Sequence, residues 1–160
     1  MDPKTNNDVW VLPLAGDRKP SLFLQTQFSE GSASFSPDGR WIAYQSNDQG
    51  LNEVYVQTFP ASGSKWQVST DAGFFPIWRS DGKELFYFKL GALMAVEIKP
   101  SSSFEAGVPK MLFDFAGRNR GNPIFAATAD GQRFLLVSQV DDTANLQYTV
   151  VVNWMADLKK

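Results

Sequence analysis

The stretch that decides the fold reads Ser36-Pro37-Asp38-Gly39-Arg40-Trp41-Ile42-Ala43-Tyr44. Two related phrases follow it, Ser-Asp-Gly-Lys-Glu-Leu-Phe-Tyr-Phe at 80–88 and Ala-Asp-Gly-Gln-Arg-Phe-Leu-Leu-Val at 129–137. Each joins an Asp-Gly turn to an apolar run rich in residues that favour β-strands. The phrases recur roughly 45 residues apart, which is typical of a repeat architecture.

The first phrase predicts a β-hairpin. The strand Ala33–Ser36 leads into it, and Trp41–Gln45 runs back as the second strand. Pro37 presets φ for a type I turn, Asp38 suits the next position, and Gly39 can take the positive φ of a following bulge residue. In the other two phrases, Ser80 and Ala129 replace the proline without contradicting this geometry.

The rest of the repeat predicts two more strands. Ser46–Gly50 is a loop by composition, Glu53–Phe59 alternates as a third strand, and Lys65–Ser69 is the fourth. The same pattern predicts strands at 75–79, 85–88, 93–98 and 110–115, then at 124–128, 134–138 and 148–154, and before the first hairpin at 8–14 and 21–25.

These strands predict an all-β fold, a partial β-propeller of four-stranded antiparallel blades. Two blades are complete and two are incomplete. The predicted divisions are 1–27 for the last two strands of an incomplete blade, 28–70 and 71–115 for complete blades, and 116–160 for an incomplete blade.

Continuous apolar runs distinguish stacked blades from a sheet with one wet face. Ile42–Tyr44, Leu85–Phe88 and Phe134–Val137 are apolar at consecutive positions. Because side chains alternate between the two faces of a strand, such runs need a packed layer on each side. A propeller satisfies that demand better than a β-sandwich, which is the alternative fold.

Composition excludes several functional classes. The 160 residues include no His and no Cys, and 15 Lys+Arg nearly balance 17 Asp+Glu. Catalytic triads that use His or Cys are therefore impossible, and no basic footprint for nucleic acid is present. No phosphate-binding or nucleophile-elbow motif occurs, and no apolar run is long enough to span a bilayer. We predict no catalytic, cofactor-binding or metal-binding residues.

The quoted phrase from Phe35 to Tyr44 resembles the TolB-like β-propeller repeat. Segments at 65–69, 78–87 and 104–109 are similar to the C-terminal propeller of bacterial proteins associated with Ser/Thr kinases. The resemblance implies a non-catalytic sensor or interaction domain in the C-terminal part of a larger protein. It also implies a periplasmic or other extracytoplasmic location.

The end of the blades opposite the Asp-Gly turns is predicted to be the binding face, because its loops are longer and more varied in chemistry. An arginine pair there could contact an anionic ligand, an aromatic pair could anchor a partner, and carboxylates could bind a hard cation or act as an acid/base pair. The alternatives are solvated loops and packing between blades. The candidates are Glu30, Asp48, Asn52, Phe74, Phe75, Arg118, Asn119, Arg120, Asp141 and Asp142.

Two functional hypotheses follow. The first is a non-catalytic module for protein interaction or ligand sensing, with a protein or small molecule as its partner. The second is the propeller portion of a prolyl-oligopeptidase-like hydrolase whose catalytic domain is absent. In either case too few strands are predicted to close a ring, so the propeller is completed by further sequence or by self-association.

Overall fold

The computed structural model describes residues 7–99, 101, 103–114, 125–137 and 151–152. These residues form 13 β-strands and no helix. The chain divides into two compact units, with the boundary between Pro76 and Ile77. The strands are β1 Val9–Val11, β2 Ser21–Leu24, β3 Glu30–Phe35, β4 Trp41–Gln49, β5 Leu51–Thr58, β6 Lys65–Gln67, β7 Phe74–Trp78, β8 Glu84–Lys89, β9 Ala92–Glu97, β10 Lys110–Asp114, β11 Phe125–Ala127, β12 Arg133–Leu136 and β13 Val151–Val152.

The strands form four antiparallel sheets in which neighbours in sequence are neighbours in space. Their orders are β1-β2, β3-β4-β5-β6, β10-β9-β8-β7 and β11-β12-β13. The predicted grouping of two, four, four and three strands is therefore confirmed in the described residues.

The three Asp-Gly phrases fold as the same turn. Each glycine has a positive φ and donates its N–H to a carbonyl three residues earlier, at 2.9 Å in every case: Gly39 with φ 69°, Gly82 with φ 71° and Gly131 with φ 68°. Each aspartate accepts the backbone N–H two residues later: Asp38 from Arg40, Asp81 from Lys83 and Asp130 from Gln132. The aspartates are thus explained by the turns that they close.

The turn carboxylates make folding stability sensitive to acid. Hydrogen bonds from Arg79 lower the pKa of Asp81 to about 2. Burial raises the pKa of Asp38, but hydrogen bonds from Ser36 and Arg40 outweigh it, and the result is also about 2. Because both pKa values are depressed in the folded state, their stabilisation is complete above pH ~4 and is lost as the pH falls toward 2.

We expect Asp81→Asn to reduce this acid dependence. The side chain is exposed, so the effect is expected to stay below about 1 kcal/mol. Urea unfolding between pH 5 and pH 2 measures it. A variant whose stability falls with pH as steeply as that of the parent would contradict the assignment.

The first unit buries its core between β1-β2 and β3-β6. Ile42, Tyr44 and Tyr55 form the buried cluster. Side chains from the smaller sheet, Val11, Phe23 and Leu24, pack against it together with Phe59. The face of β4 and β5 that carries these aromatic rings is therefore covered by a second sheet.

The second unit packs β8 against the β11-β13 sheet. The rings of Phe86 and Phe134 meet edge to face with centroids 4.9 Å apart, and Phe88 and Phe125 lie 5.3 Å apart. Leu85–Phe88 is fully buried, as the apolar run predicts.

The prediction that Phe134–Val137 is buried on both faces is wrong. Phe134 is buried, but Leu135 is 67% exposed and Val137 is 61% exposed. Side chains alternate along β12, so the side opposite Phe134 points away from the Phe86 sheet. No described residue covers that side.

The predicted loop at Ser46–Gly50 is also wrong. β4 continues to Gln49, and the chain turns at Gly50, whose φ is 96°, directly into β5. Asn47 and Asp48 are usually depleted in strands. Here the Asn47 side chain accepts the N–H of Ser29 at 2.8 Å, and Asp48 accepts hydrogen bonds from Tyr55 and Lys65.

Candidate functional site

A strained connector leads from the β3-β6 sheet into β7 and includes the first two residues of that strand, Phe74 and Phe75. Its residues, 71–75, include Asp71, Ala72 and Phe75 with φ values of 59°, 85° and 54°. Positive φ is uncommon for residues with a Cβ, and such backbone strain concentrates at functional sites. The connector is therefore the candidate site.

Three hydrogen bonds fix the connector backbone to β4 and β5. The N–H of Ala72 donates to Glu53 Oε1 at 2.9 Å, and the N–H of Gly73 donates to the carbonyl of Asn52 at 2.7 Å. The N–H of Phe75 donates to Gln45 Oε1 at 3.0 Å. Side chains from inside the sheet thus offset the strain of the connector.

Glu53, which bonds the connector, belongs to a row of buried polar side chains, the polar row, formed by Glu30, Ser46, Glu53 and Ser69. Their exposed fractions are 2%, 1%, 5% and 0%. Ser46 is the cross-strand partner of both glutamates. Ser69 donates its hydroxyl to Glu53 Oε2 and accepts the N–H of Val54 at 2.7 Å.

Glu30 is satisfied on one oxygen. Its Oε1 accepts the hydroxyls of Thr26 at 2.6 Å and Ser46 at 3.3 Å. Its Oε2 is buried and has no hydrogen-bond partner among the described residues. The two glutamates of the polar row therefore differ: both oxygens of Glu53 receive hydrogens, and only one oxygen of Glu30 does.

This difference predicts that matched Glu→Gln substitutions change the free energy of unfolding by different amounts. Glu53→Gln replaces one accepting oxygen by an NH₂ group, which either opposes the Ala72 N–H or leaves the Ser69 hydroxyl proton without its acceptor, and we expect a loss of about 1–3 kcal/mol. Glu30→Gln can place its NH₂ group at the unbonded oxygen, and we expect a change within about 0.5 kcal/mol. Urea unfolding of both variants is the measurement. Equal losses in the two variants would contradict the polar row.

The β4-β5 hairpin lies beside the connector and is stabilised by hydrogen bonds to the carboxylate of Asp48. Asp48 accepts hydrogen bonds from the Tyr55 hydroxyl and from Lys65, whose ammonium lies 3.8 Å from the centroid of the Tyr55 ring. Burial acts to raise the pKa of Asp48, but the hydrogen bonds from Lys65 and Tyr55 outweigh it and lower the pKa. Burial is the largest cause that raises the pKa of Tyr55, and the hydrogen bond to Asp48 raises it further.

The exposed part of this region is named the connector surface and consists of Leu51, Asp71, Phe74 and Phe75. Leu51, at the hairpin tip, is 60% exposed. Phe74 and Phe75 are partly buried with ring centroids 6.3 Å apart, and Asp71 is exposed. Asn52, which bonds Gly73, joins the hairpin tip to the connector. The surface combines apolar anchors with a carboxylate on a fixed backbone.

The structure separates the candidate residues predicted from sequence. Phe74 and Phe75 lie on the connector surface, and the carbonyl of Asn52 supports it. Asp48 lies in β4, and its carboxylate is bonded to Tyr55 and Lys65. Glu30 is buried, so its side chain is structural rather than part of an exposed face. The remaining five, Arg118, Asn119, Arg120, Asp141 and Asp142, lie outside the described residues.

Sequence reasoning did not single out Gln45, Glu53, Ser69 or Leu51. One signal was available: Ser46 and Glu53 each lie next to an apolar run, Ile42–Tyr44 and Val54–Val56, in strands that pair. Such residues are buried together when their strands pair in register. Recognising them required the register of β4 and β5.

The described residues contain no group of three or more His, Cys, Asp or Glu side chains placed to hold a metal ion. Within the same ranges, no helix has the length and hydropathy needed to cross a bilayer.

Comparison with known proteins gives the fold. The sequence matches no protein-family model, and no similar curated protein was found. Among solved structures, TolB from Acinetobacter baumannii matches with a TM-score of 0.61 at 18% identity. The match covers 84% of this chain and 34% of the TolB chain, so this chain spans about a third of that protein's length. The predicted fold, an all-β partial β-propeller of four-stranded antiparallel blades, is confirmed.

Proposed function

We propose that this chain is a non-catalytic β-propeller module that binds another protein through the connector surface. The observation that carries the proposal is the strained backbone of Asp71, Ala72 and Phe75, held by Glu53 and Gln45. Positioning a loop on a rigid sheet is how such scaffolds place binding groups. Because the backbone is already fixed, little conformational entropy is lost on binding.

The chemistry of the connector surface favours a protein partner over a small anion. Leu51 and the two phenylalanines supply apolar anchors, and aromatic residues are enriched at the centres of protein interfaces. Asp71 adds an exposed carboxylate to the connector surface. We expect a partner with an apolar patch beside a basic side chain.

Site-specific photocrosslinking in the source organism tests the proposal. Benzoylphenylalanine replaces Leu51 in one variant and Leu90 in another. Both leucines are exposed, at 60% and 73%, and Leu90 lies at the β8-β9 turn. We expect a discrete protein adduct from position 51 that disappears on Phe75→Ala, and none from position 90. The same adducts from both positions would contradict the proposal, as would hydrolysis or phosphotransfer by the purified chain.

We further propose that the module belongs to the C-terminal part of a larger extracytoplasmic protein with a Ser/Thr kinase domain. Support comes from the repeat resemblance and from the fraction of TolB that the chain spans. The coding sequence on either side tests it. A kinase domain and a membrane span upstream are expected, and an α/β-hydrolase domain downstream would overturn the proposal.

A further inference from the structure

Two side-chain amides beside the connector have hydrogen-bonding groups to spare. Gln45 Oε1 accepts the N–H of Phe75, so the NH₂ group of Gln45 faces elsewhere, and no described residue accepts a hydrogen bond from it. The carbonyl of Asn52 accepts the N–H of Gly73, but the Asn52 side-chain amide makes no hydrogen bond within the described part of the chain. Both residues are partly buried, and neither amide is enclosed by protein.

Both amides lie on the face of the β3-β6 sheet that the connector crosses. Gln45 is the cross-strand partner of Val54 on β5, so their side chains share a face. Asn52 lies two residues before Val54 and is on the same face, because side chains alternate along a strand. A Cβ at Gly73 of the connector would lie 3.0 Å from Val54 Cγ2, which places the connector on this face too.

An open space lies next to Gln45 on the same face. Gly31 of β3 is the cross-strand partner of Gln45, and a Cβ at Gly31 would meet no atom within 4 Å. Directly after Gly31 the strand bulges, and Ser32, with φ 51°, is exposed. A glycine beside open space lets another main chain approach closely. Gly31, Gln45 and Asn52 are named the amide slot.

The amide slot has the length and the chemistry to hold a peptide main chain. Gly31 lies on β3 and Asn52 on β5, with β4 between them. Strands so placed are about 10 Å apart, a distance that about three residues of extended chain span. The NH₂ group of Gln45 donates, and the Asn52 amide both donates and accepts. These groups complement the C=O and N–H groups of an extended chain.

We propose that the protein partner binds the connector surface with an extended segment whose main chain lies in the amide slot. The inference rests on the proposed function and adds the form of the partner. One apolar side chain of the segment packs on Leu51 and Phe75, and one basic side chain lies near Asp71. A helical segment does not suit the slot, because its main-chain groups are already bonded to one another.

Photocrosslinking from position 51 tests the slot, with further substitutions added to the benzoylphenylalanine variant. Gly31→Leu fills the open space. Gln45→Glu keeps the acceptor for the Phe75 N–H but removes the NH₂ group. We expect each substitution to reduce the protein adduct at least ~10-fold. Ser64→Leu, which adds the same side chain in the exposed β5-β6 turn, should leave the adduct unchanged.

Stability measurements separate a binding effect from a folding effect. We expect the melting temperatures of Gly31→Leu and Gln45→Glu to stay within about 2 °C of the parent, and the Phe75 amide of Gln45→Glu to keep its protection from exchange. An undiminished adduct in both variants would overturn the inference and leave the proposed function standing. No adduct from position 51 in the otherwise unsubstituted chain would overturn both.

Competition by a peptide distinguishes an extended segment from a folded surface. Tandem mass spectrometry locates the crosslinked residue of the partner, and a short synthetic peptide spanning that residue is added to the purified chain and partner. We expect the peptide to prevent the adduct, and the same peptide with N-methylated main-chain amides to require at least ~10-fold higher concentration. Equal potency of the two peptides, or no competition by either, would overturn the proposal.

Discussion

Gly73→Ala is expected to destabilise the protein by about 3 kcal/mol. A Cβ at this position would lie 2.3 Å from Ser69 Oγ, 2.6 Å from Ser69 Cβ and 3.0 Å from Val54 Cγ2. Ser69 cannot move away cheaply, because its hydroxyl bonds both Glu53 and the N–H of Val54. The substitution therefore either overpacks the core or breaks the polar row.

Gly31→Ala is the matched control. Gly31 also lies in the first unit, its φ is not positive, and a Cβ there meets no atom within 4 Å. We expect a change within about 0.5 kcal/mol. Urea unfolding of the two variants beside the parent chain gives the comparison. Similar stabilities for Gly73→Ala and the parent would show that the connector does not pack on Ser69.

Phe86→Ala is expected to cost about 3–5 kcal/mol. The side chain is fully buried at the centre of the second unit and meets Phe134 of the neighbouring sheet edge to face. Removing the ring leaves a cavity and ends a contact that joins β8 to β12. Because the two sheets pack through this contact, the loss should affect both of them.

Leu135→Ala provides the comparison on the neighbouring strand. Leu135 is 67% exposed, so its truncation should change stability by less than about 0.5 kcal/mol. Phe86→Leu gives an intermediate case that retains more of the buried volume, with an expected loss of about 1.5 kcal/mol. Thermal unfolding ranks the three variants. A loss for Leu135→Ala as large as that for Phe86→Ala would contradict the stacking of β8 on β12.

The strands and turns could be predicted from the sequence because their signals come from residues that are neighbours in the chain. The Asp-Gly turns encode their own geometry, since Gly39 adopts the positive φ that a bulge residue needs and Asp38 accepts the N–H of Arg40. Apolar runs of the β-rich type then fixed the strands on either side. These signals depend on near neighbours in the chain, which is why strand number and order were predictable.

The β4-β5 hairpin shows where local reasoning fails. Asn47, Asp48 and Gly50 are typical of a loop, but only Gly50 turns the chain. Asn47 and Asp48 remain in the strand because distant groups, the N–H of Ser29 and the side chains of Tyr55 and Lys65, bond them. Those partners are close in space but not in sequence.

The site was only partly predictable for the same reason. Phe74 and Phe75 were identified as an aromatic pair between strands, and they lie on the connector surface. Glu30 was predicted to lie on the exposed binding face. Its burial could not be foreseen, because it depends on the pairing of Glu30 with Ser46. Arg118, Asn119, Arg120, Asp141 and Asp142 stay predictions.

Hydrogen exchange at the connector tests the central claim, that strained residues are held rigidly to present a binding surface. The amides of Ala72, Gly73 and Phe75 donate to Glu53, Asn52 and Gln45. We predict exchange at least ~100-fold slower than at the exposed turn residues Gly63 and Ser64. Exchange of the connector amides at the same rate as those of Gly63 and Ser64 would contradict the account.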